Sequence, residues 1–397
     1  MASFGVALLV SLLVSLAILR LAYLAKGLGM DSDVHDPRRV HGSPVPRIGG
    51  LAVFTAAMIG GALIWLKSPV TGTPILTLLF CALPSFAGGF LEDLTTNVRP
   101  RLRLLLMLVS TLMALLLLDL KVPRVDLPLL DAMLQVSWVA FALTALALLT
   151  ITNGINLIDG LNGLAGMVCL SMFGGLALVG YHVSDPFIVS ASLLMAGSIA
   201  GFQFWNYPRG HLFLGDGGAY FLGFMLGALS ILLVARNPAV SAWFPPLLLA
   251  YPLLEVAFSI WRRRVLRGQA SGMPDAAHLH HLIYRRVVRW AVGSELPESK
   301  QQRNAFASPY LWVLSSLAVV PAVIFHGDGP ALSGFLALFV ISYVWLYVRI
   351  ARMNVPRWLI FRPLNGSARN DQHPAARTGA TDPGASDDGA IRDPGRP

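Results

Sequence analysis

A run of twelve residues, from Asn153 to Leu164, combines polar side chains and glycines between two long apolar stretches. Asparagine or aspartate recurs at positions 153, 156, 159 and 162, and this spacing predicts one shared face of a helix or helix start. An aspartate beside hydrocarbon costs about 2.5–3.5 kcal/mol. The run is therefore expected to face water, a cation or a substrate. A plain polar turn is the alternative, although a turn needs only about two to four such residues.

Other polar clusters repeat this chemistry elsewhere in the chain. The pair Glu92-Asp93 precedes Arg99 and Arg101, and Asp216 lies in a Gly-Asp-Gly-Gly sequence. Carboxylates without a nearby cysteine suit a hard cation such as Mg²⁺, which is usually held by one or two carboxylates and by substrate phosphates. Arginine and histidine suit phosphate oxygens. Together, acids that hold a metal ion and basic residues that bind phosphate are typical of sites for phosphoryl transfer.

Each cluster also has a simpler interpretation. Glu92-Asp93 could cap a helix or pair with Arg99, and the glycine-rich sequence around Asp216 could be a tight turn. The sequence His278-x-His280-His281 could be a solvated loop, since three histidines without a cysteine or a nearby fourth ligand do not make a structural zinc site. The joint occurrence of the clusters favours one functional site.

The elements that position these groups are predicted to be membrane helices. Of the 397 residues, 55% are hydrophobic and only 13% are charged, whereas soluble domains have roughly 25% charged residues. The isolated Cys81 and Cys169 lie in apolar runs and are interpreted as core residues. About eleven spans of sufficient length are predicted, giving an all-α polytopic bundle: 3–25, 49–66, 74–91, 102–119, 134–152, 160–180, 186–204, 213–234, 242–262, 309–327 and 330–350.

The distribution of positive charge predicts the orientation of the bundle. With the N-terminus outside, 26 of the 30 lysine and arginine residues fall on the cytoplasmic side. The net charge of +9 is thereby explained by membrane-flanking loops, and nucleic acid is not expected as a partner. This topology predicts a catalytic membrane domain over 1–362, with a cytoplasmic loop at 263–308, and a disordered cytoplasmic tail at 363–397. All the polar clusters then lie on the cytoplasmic face.

These motifs resemble those of the polyprenyl-phosphate N-acetylhexosamine-1-phosphate transferases. The resemblance rests on the Asn153–Leu164 run, the Gly-Asp216-Gly-Gly turn and the His278-x-His280-His281 loop, and it covers about residues 30–350. The family includes bacterial enzymes that start O-antigen and related glycans, and the phospho-N-acetylmuramoyl-pentapeptide transferase. The spaced histidines are more similar to the glycan-initiating branch.

The resemblance implies transfer of a sugar 1-phosphate from a UDP-N-acetylhexosamine to polyprenyl phosphate, with release of UMP. It also implies that the enzyme uses Mg²⁺, or Mn²⁺ in its place. The enzyme would be a multi-pass protein of the bacterial inner membrane, and a homodimer is possible. By the same resemblance, the catalytic residues are Glu92, Asp93 and Asp159, and the metal ligand is Asp216. The implied substrate-binding residues are His41, Arg99, Arg101, Asn153, Asn156, His278, His280 and His281.

Two departures from the family pattern affect these assignments. The family usually has Asp-Asp where this chain has Glu92-Asp93, and it usually has a second aspartate where this chain has Asn162. Asn162 therefore argues against an essential base at that position. The alternative function is a transporter or flippase for an anionic lipid or a nucleotide sugar. Transport sites lie near the membrane midplane, however, and the middles of these spans lack charge.

Overall fold

The computed structural model describes residues 2–25, 45–262, 264, 278–288 and 297–352, and every secondary-structure element in these ranges is helical. Ten of the helices in these ranges are long and apolar enough to cross a membrane. The all-α polytopic fold is thereby confirmed. The helices are α1 (Ala2–Ala25), α2 (Gly49–Lys67), α3 (Pro69–Thr95), α4 (Pro100–Leu118), α5 (Pro128–Leu134), α6 (Ser137–Ile158), α7 (Leu164–His182), α8 (Pro186–Asn206), α9 (Gly215–Arg236), α10 (Phe244–Leu248), α11 (Ala250–Trp261), α12 (Leu279–Leu282), α13 (Pro297–Ile324) and α14 (Gly329–Ala351).

The prediction of eleven spans is wrong by one among the described residues. The stretch predicted at 242–262 forms two short helices, α10 and α11, which are separated at Leu249. Pro252 explains the break, because a proline lacks an N–H and its ring clashes with the carbonyl four residues earlier, here that of Leu248. Helix α13 also begins twelve residues before the predicted start at 309, because its first two turns are polar but helix-forming.

Several predictions fall outside the described residues. His41 and the tail at 363–397 are among them, and so is much of the loop at 263–308. The side of the membrane on which each terminus lies stays a prediction.

Helix α9 is the centre of the bundle, since nearly all of its residues are buried and it packs against α2, α3 and α6. Glycines allow the backbones to come close. A Cβ atom added at Gly50 would collide with the backbone of Gly218, and one added at Gly89 would collide with the backbone of Asp216. Small residues serve this purpose in membrane helices generally. The first turn of α9 is therefore fixed by backbone contact with two other helices.

The chain before α9 is tied to the start of α2. The amides of Gly49 and Gly50 donate to the carbonyls of Phe213 and Leu214, at 2.8 and 2.7 Å. The next residue, Gly215, has φ +77°, a conformation that residues with side chains rarely adopt, and a Cβ there would meet the carbonyl of Arg47. This junction brings the start of α2 and the start of α9 to the same end of the bundle.

At the opposite end of α9, the buried carboxylate of Asp185 joins α8 to α9 by hydrogen bonds. Its carboxylate caps α8 by accepting from the amides of Phe187 and Ile188. It also accepts from Arg236 Nε at 2.7 Å and from Asn237 Nδ2 at 3.2 Å. Burial alone would raise the pKa of Asp185, but these hydrogen bonds outweigh burial, and its pKa lies below the ordinary value of 3.8.

Asp185→Asn is expected to lower the free energy of unfolding by roughly 1–2 kcal/mol at pH 7, because it removes the charge that Arg236 binds. Since the pKa is depressed in the folded protein, this stabilisation is present above the unfolded pKa and is lost as pH falls through the folded pKa. Thermal unfolding in detergent at pH 7 and at about pH 3 measures both effects. Asp119→Asn, at an exposed carboxylate paired with Lys121, is the control and should change little. A loss of equal size at both pH values would contradict the prediction.

Candidate active site

Asp216 lies in the first turn of α9, at the point where several helix ends meet. Its Oδ1 accepts from Asn156 Nδ2 at 2.8 Å, and its Oδ2 accepts from Arg103 Nη1 at 3.0 Å. Arg47 Nη2 lies 4.0 Å from Oδ1. The Asp216 side chain remains 17% exposed. Residues from α4, from α6 and from the chain before α2 therefore surround one accessible carboxylate.

Asp93 reaches the same turn from α3 and is only 6% exposed. Its two oxygens accept from the backbone amides of Asp216 and Gly217, at 2.8 and 2.9 Å. These amides belong to the amino end of α9, which has no partner for them within the helix. The group that these amides bind is thus a side chain of the protein itself. By binding the backbone amide of Asp216, Asp93 determines the position of the Asp216 side chain.

Asp159 follows the last residue of α6 and is half-buried. Burial raises the pKa of Asp159 to about 7, and the charge of Asp216 acts in the same direction, while the nearby Arg47 and the amide of Gly215 lower it. Three acids from three helices, namely Asp93, Asp159 and Asp216, thus gather at the start of α9. Their gathering agrees with the expectation that the separate polar clusters form one site.

Glu92 contacts different groups from those of its neighbour Asp93. Its Oε2 accepts from the amide of Val98 at 2.8 Å, and its Oε1 lies 3.9 Å from Arg103 Nη1. The longer side chain of glutamate lets it hold the turn between α3 and α4 and also approach the arginine that binds Asp216. The replacement of the family's usual aspartate has this structural explanation.

The arginine that contacts the acids is Arg103, which was not among the candidate site residues. Arg99 and Arg101 are exposed, whereas Arg103 is half-buried between Glu92 and Asp216. Residues two apart on a helix point to nearly opposite sides, and the sequence alone did not say which side of α4 faces the bundle. Arg47 was missed in the same way. Its nearness to Asp216 depends on the pairing of the chain before α2 with the chain before α9.

The two candidate asparagines on α6 have different partners. Asn156 donates to Asp216, but Asn153 donates to the carbonyl of Leu149 in its own helix, at 2.7 Å. The structure therefore brings Asn156 to the acids and gives Asn153 a bond within its own helix.

The turn after Asp159 is held by side chains from two other helices. The amide of Asn162 donates to Asn304 Oδ1 at 2.7 Å, and its carbonyl accepts from Ser308 Oγ at 2.6 Å. The amide of Gly163 donates to Asn206 Oδ1 at 2.6 Å. The Asn162 side chain is buried and donates to the carbonyl of Pro208. Position 162 thus has a structural part in this chain, which agrees with the argument against a base there.

The three histidines are buried, and their interpretation as a solvated loop is wrong. Their rings form a cluster in which His280 stacks on His278, with centroids 5.6 Å apart. A Cβ atom added at Gly160 would lie 2.7 Å from His280 Nε2, so the histidines pack against the turn after Asp159. Burial, together with His281 and His278, holds the pKa of His280 well below its ordinary value of 6.5.

A divalent cation would have to share its ligands between protein and substrate. Within the described ranges, no group of three histidine, cysteine, aspartate or glutamate side chains is close enough to hold a metal. Mg²⁺, however, is commonly held by one or two carboxylates plus phosphates and water. Asp216 is accessible, and three further carboxyl groups and two guanidinium groups lie around it. The donor set fits such an ion.

Several known proteins are similar to this chain in sequence. A family model described as glycosyl transferase family 4 matches residues 75–234, the range that contains Glu92, Asp159 and Asp216. A "probable undecaprenyl-phosphate N-acetylglucosaminyl 1-phosphate transferase" of Bacillus subtilis is 31% identical over 287 residues, which cover 71% of this chain and 76% of the relative. A "decaprenyl-phosphate N-acetylglucosaminephosphotransferase" of Mycobacterium tuberculosis is 30% identical over 295 residues, or 63% and 70% of the two chains.

The fold and the acid cluster at the helix ends are those of a multi-pass membrane transferase. The chain belongs to glycosyl transferase family 4. A "phospho-N-acetylmuramoyl-pentapeptide-transferase" of a Synechococcus species matches over a shorter range, with 32% identity over 152 residues, which cover 37% of this chain and 43% of that relative.

Ser308→Ala is expected to loosen the turn after Asp159, because the buried carbonyl of Asn162 loses its donor at a cost of roughly 1–3 kcal/mol. Ser316→Ala is the matched control, since this serine is in the same helix and donates only to the carbonyl of Trp312. Thermal unfolding and amide hydrogen exchange over residues 159–163 are the measurements. Equal effects of the two substitutions would show that the cross-helix bond has no special part.

Proposed function

We propose that this transferase moves N-acetylglucosamine 1-phosphate from UDP-N-acetylglucosamine to a polyprenyl phosphate and releases UMP. The observation that carries the proposal is the accessible Asp216 carboxylate, which is held by Asn156 and Arg103 and surrounded by Asp93, Asp159 and Glu92 at the ends of membrane helices. The printed names of the relatives in Bacillus subtilis and Mycobacterium tuberculosis specify a polyprenyl-phosphate acceptor and an N-acetylglucosaminyl phosphate group, which supports the choice of both substrates.

In the proposed reaction, an oxygen of the lipid phosphate attacks the β-phosphorus of the UDP-sugar in line. A new P–O bond forms to the lipid phosphate while the bond from the β-phosphorus to the bridging oxygen breaks. UMP leaves with the electron pair of that bond. The product is a polyprenyl diphosphate sugar.

The protein contributes mainly position and charge to this step. Asp216 is the residue that would hold Mg²⁺ or Mn²⁺, and the ion when bound supplies charge neutralisation at the diphosphate. Arg103 and Arg47 provide positive charge for the phosphate oxygens. Asp159 and Glu92 are assigned to orient the lipid phosphate or to accept its residual proton. Little base strength is needed, since the second pKa of a phosphate monoester is about 6. Asp93 holds the amino end of α9 in place.

The remaining assignments follow the same proposal. Asn156, His280 and His281 face the nucleotide-sugar, and the site lies at the cytoplasmic face of the bacterial inner membrane, where a water-soluble donor and a lipid acceptor can meet. The step begins synthesis of a cell-surface polysaccharide, for which an O-antigen-like glycan of lipopolysaccharide is one product class. The printed names of the relatives support the transfer of an N-acetylglucosaminyl phosphate group to a polyprenyl phosphate, and the class of glycan is part of the proposal.

The direct test is UMP release by the purified full-length chain, with UDP-N-acetylglucosamine, undecaprenyl phosphate and Mg²⁺. Asp216→Asn should reduce turnover by about 100-fold or more, because charge stabilisation at the diphosphate is lost. Removal of the metal with EDTA should have a similar effect, and added Mg²⁺ or Mn²⁺ should restore activity.

Asp126→Asn is the matched control for this substitution. Asp126 is an exposed residue at the other end of the bundle, where its carboxylate accepts from Ser241 Oγ. Near-normal turnover by the Asp216 variant would refute its assigned role. Absence of UMP with every UDP-N-acetylhexosamine in a panel would refute the reaction, and movement of the lipid or nucleotide without UMP would indicate a transporter.

Arg103→Gln is expected to lower kcat by about tenfold or more, since it removes a charged hydrogen bond to Asp216 and leaves Glu92 without its nearest cation. Arg101→Gln, on the exposed side of the same helix, is expected to cost less than about threefold. Steady-state UMP release gives kcat and KM for each variant. A larger loss of kcat in Arg101→Gln than in Arg103→Gln would indicate that Arg101 binds the phosphate, as the family resemblance implied.

A further inference from the structure

Glu255 is a buried carboxylate on α11, outside the acid cluster and outside the range matched by the family model. It is 2% exposed, and its Oε2 lies 3.3 Å from Nδ1 of His278. The buried hydroxyls of Tyr251 and Tyr343 lie near the same carboxylate without making a hydrogen bond to it. A carboxylate removed from water in this way is costly unless it is paired and hydrogen-bonded. The identity of its partner, His278, therefore indicates the role of Glu255.

That partner stands at the start of the histidine segment, which we define as residues 278–288. His278 is the N-cap residue of α12. The contact with Glu255 therefore holds the first residue of the histidine segment. Glu255 lies 23 residues before His278, and its helix α11 packs against α13 and α14, as the histidine segment also does.

Contacts between histidine rings connect His278 with the acid cluster. The ring of His280 stacks on that of His278 with an interplanar angle of 5°, and the ring centroid of His281 is 4.2 Å from that of His280. His280 in turn lies against Gly160, the residue after Asp159. A continuous chain of side-chain contacts therefore joins Glu255 to the turn that carries Asp159.

We propose that Glu255 is a positioning residue of the transferase, which orients His278 and thereby holds the histidine segment against the turn at Asp159 and Gly160. The inference rests on the proposed function, because it assigns the segment to the site of that reaction. Glu255 touches neither substrate nor metal in this scheme. Its effect on turnover passes through His278.

A double-mutant cycle tests whether the two residues act together. Glu255→Gln keeps the size of the side chain and removes its charge, and we expect it to lower kcat for UMP release by about tenfold, with a smaller change in KM for UDP-N-acetylglucosamine. His278→Gln should lower kcat to a similar extent. In the His278→Gln background, Glu255→Gln should cost less than about twofold further, because the contact is already lost.

A second measurement does not depend on turnover. Amide hydrogen exchange over residues 278–288 should be faster in Glu255→Gln than in the wild type. Asp185→Asn is the matched control, since it neutralises a buried carboxylate that is paired with an arginine at the other end of the bundle. This control should leave both kcat and exchange over the histidine segment unchanged.

Three results would overturn the inference: wild-type kcat in Glu255→Gln, a loss of kcat that is equal in both backgrounds, or unchanged exchange over the histidine segment. Failure of the wild type to release UMP would instead refute the proposed function. In that case the exchange measurement still decides whether Glu255 holds the segment in place.

Discussion

The site depends on the hydrogen bonds between the Asp93 carboxylate and the amino end of α9. Two backbone amides that the helix cannot satisfy itself donate to its two oxygens, and the positive end of the helix dipole favours the same negative charge. The capping residue comes from a different helix, so this bond also joins α3 to α9. The direction of the Asp216 side chain, and hence the position of its contacts with Arg103 and Asn156, follows from the backbone that Asp93 fixes.

This cap requires that helix backbones approach one another closely. Gly50 and Gly218 let α2 and α9 touch, and Gly89 does the same for α3 and α9. In a membrane, close packing of this kind provides much of the attraction between helices, since lipid is as apolar as the side chains that it would replace. The glycine-rich sequence around Asp216 therefore has two purposes. It gives the sharp turn before α9, and it lets the neighbouring helices reach the acid cluster.

The sequence predicted the general design more reliably than the individual contacts. Hydropathy was sufficient for most of the helices, because a bilayer demands long apolar segments, but it could not reveal the break at Leu249. Periodicity brought Asn156 and Asp159 toward one end of α6. It could not separate Arg103 from Arg101, since that requires knowledge of which side of α4 is buried. Glu255 gave no signal at all, because its partner His278 is distant in sequence and a lone glutamate in an apolar helix has no recognisable pattern.

The turn that carries Asp159 draws its support from residues made late in synthesis. Asn206 belongs to α8, but Asn304 and Ser308 belong to α13, about 140 residues after the turn that they hold. A ribosome-bound chain that has inserted the first nine helices therefore still lacks the donors and acceptors that secure Asn162. The full set of hydrogen bonds to this turn can therefore form only after α13 has been synthesised and has packed against α7.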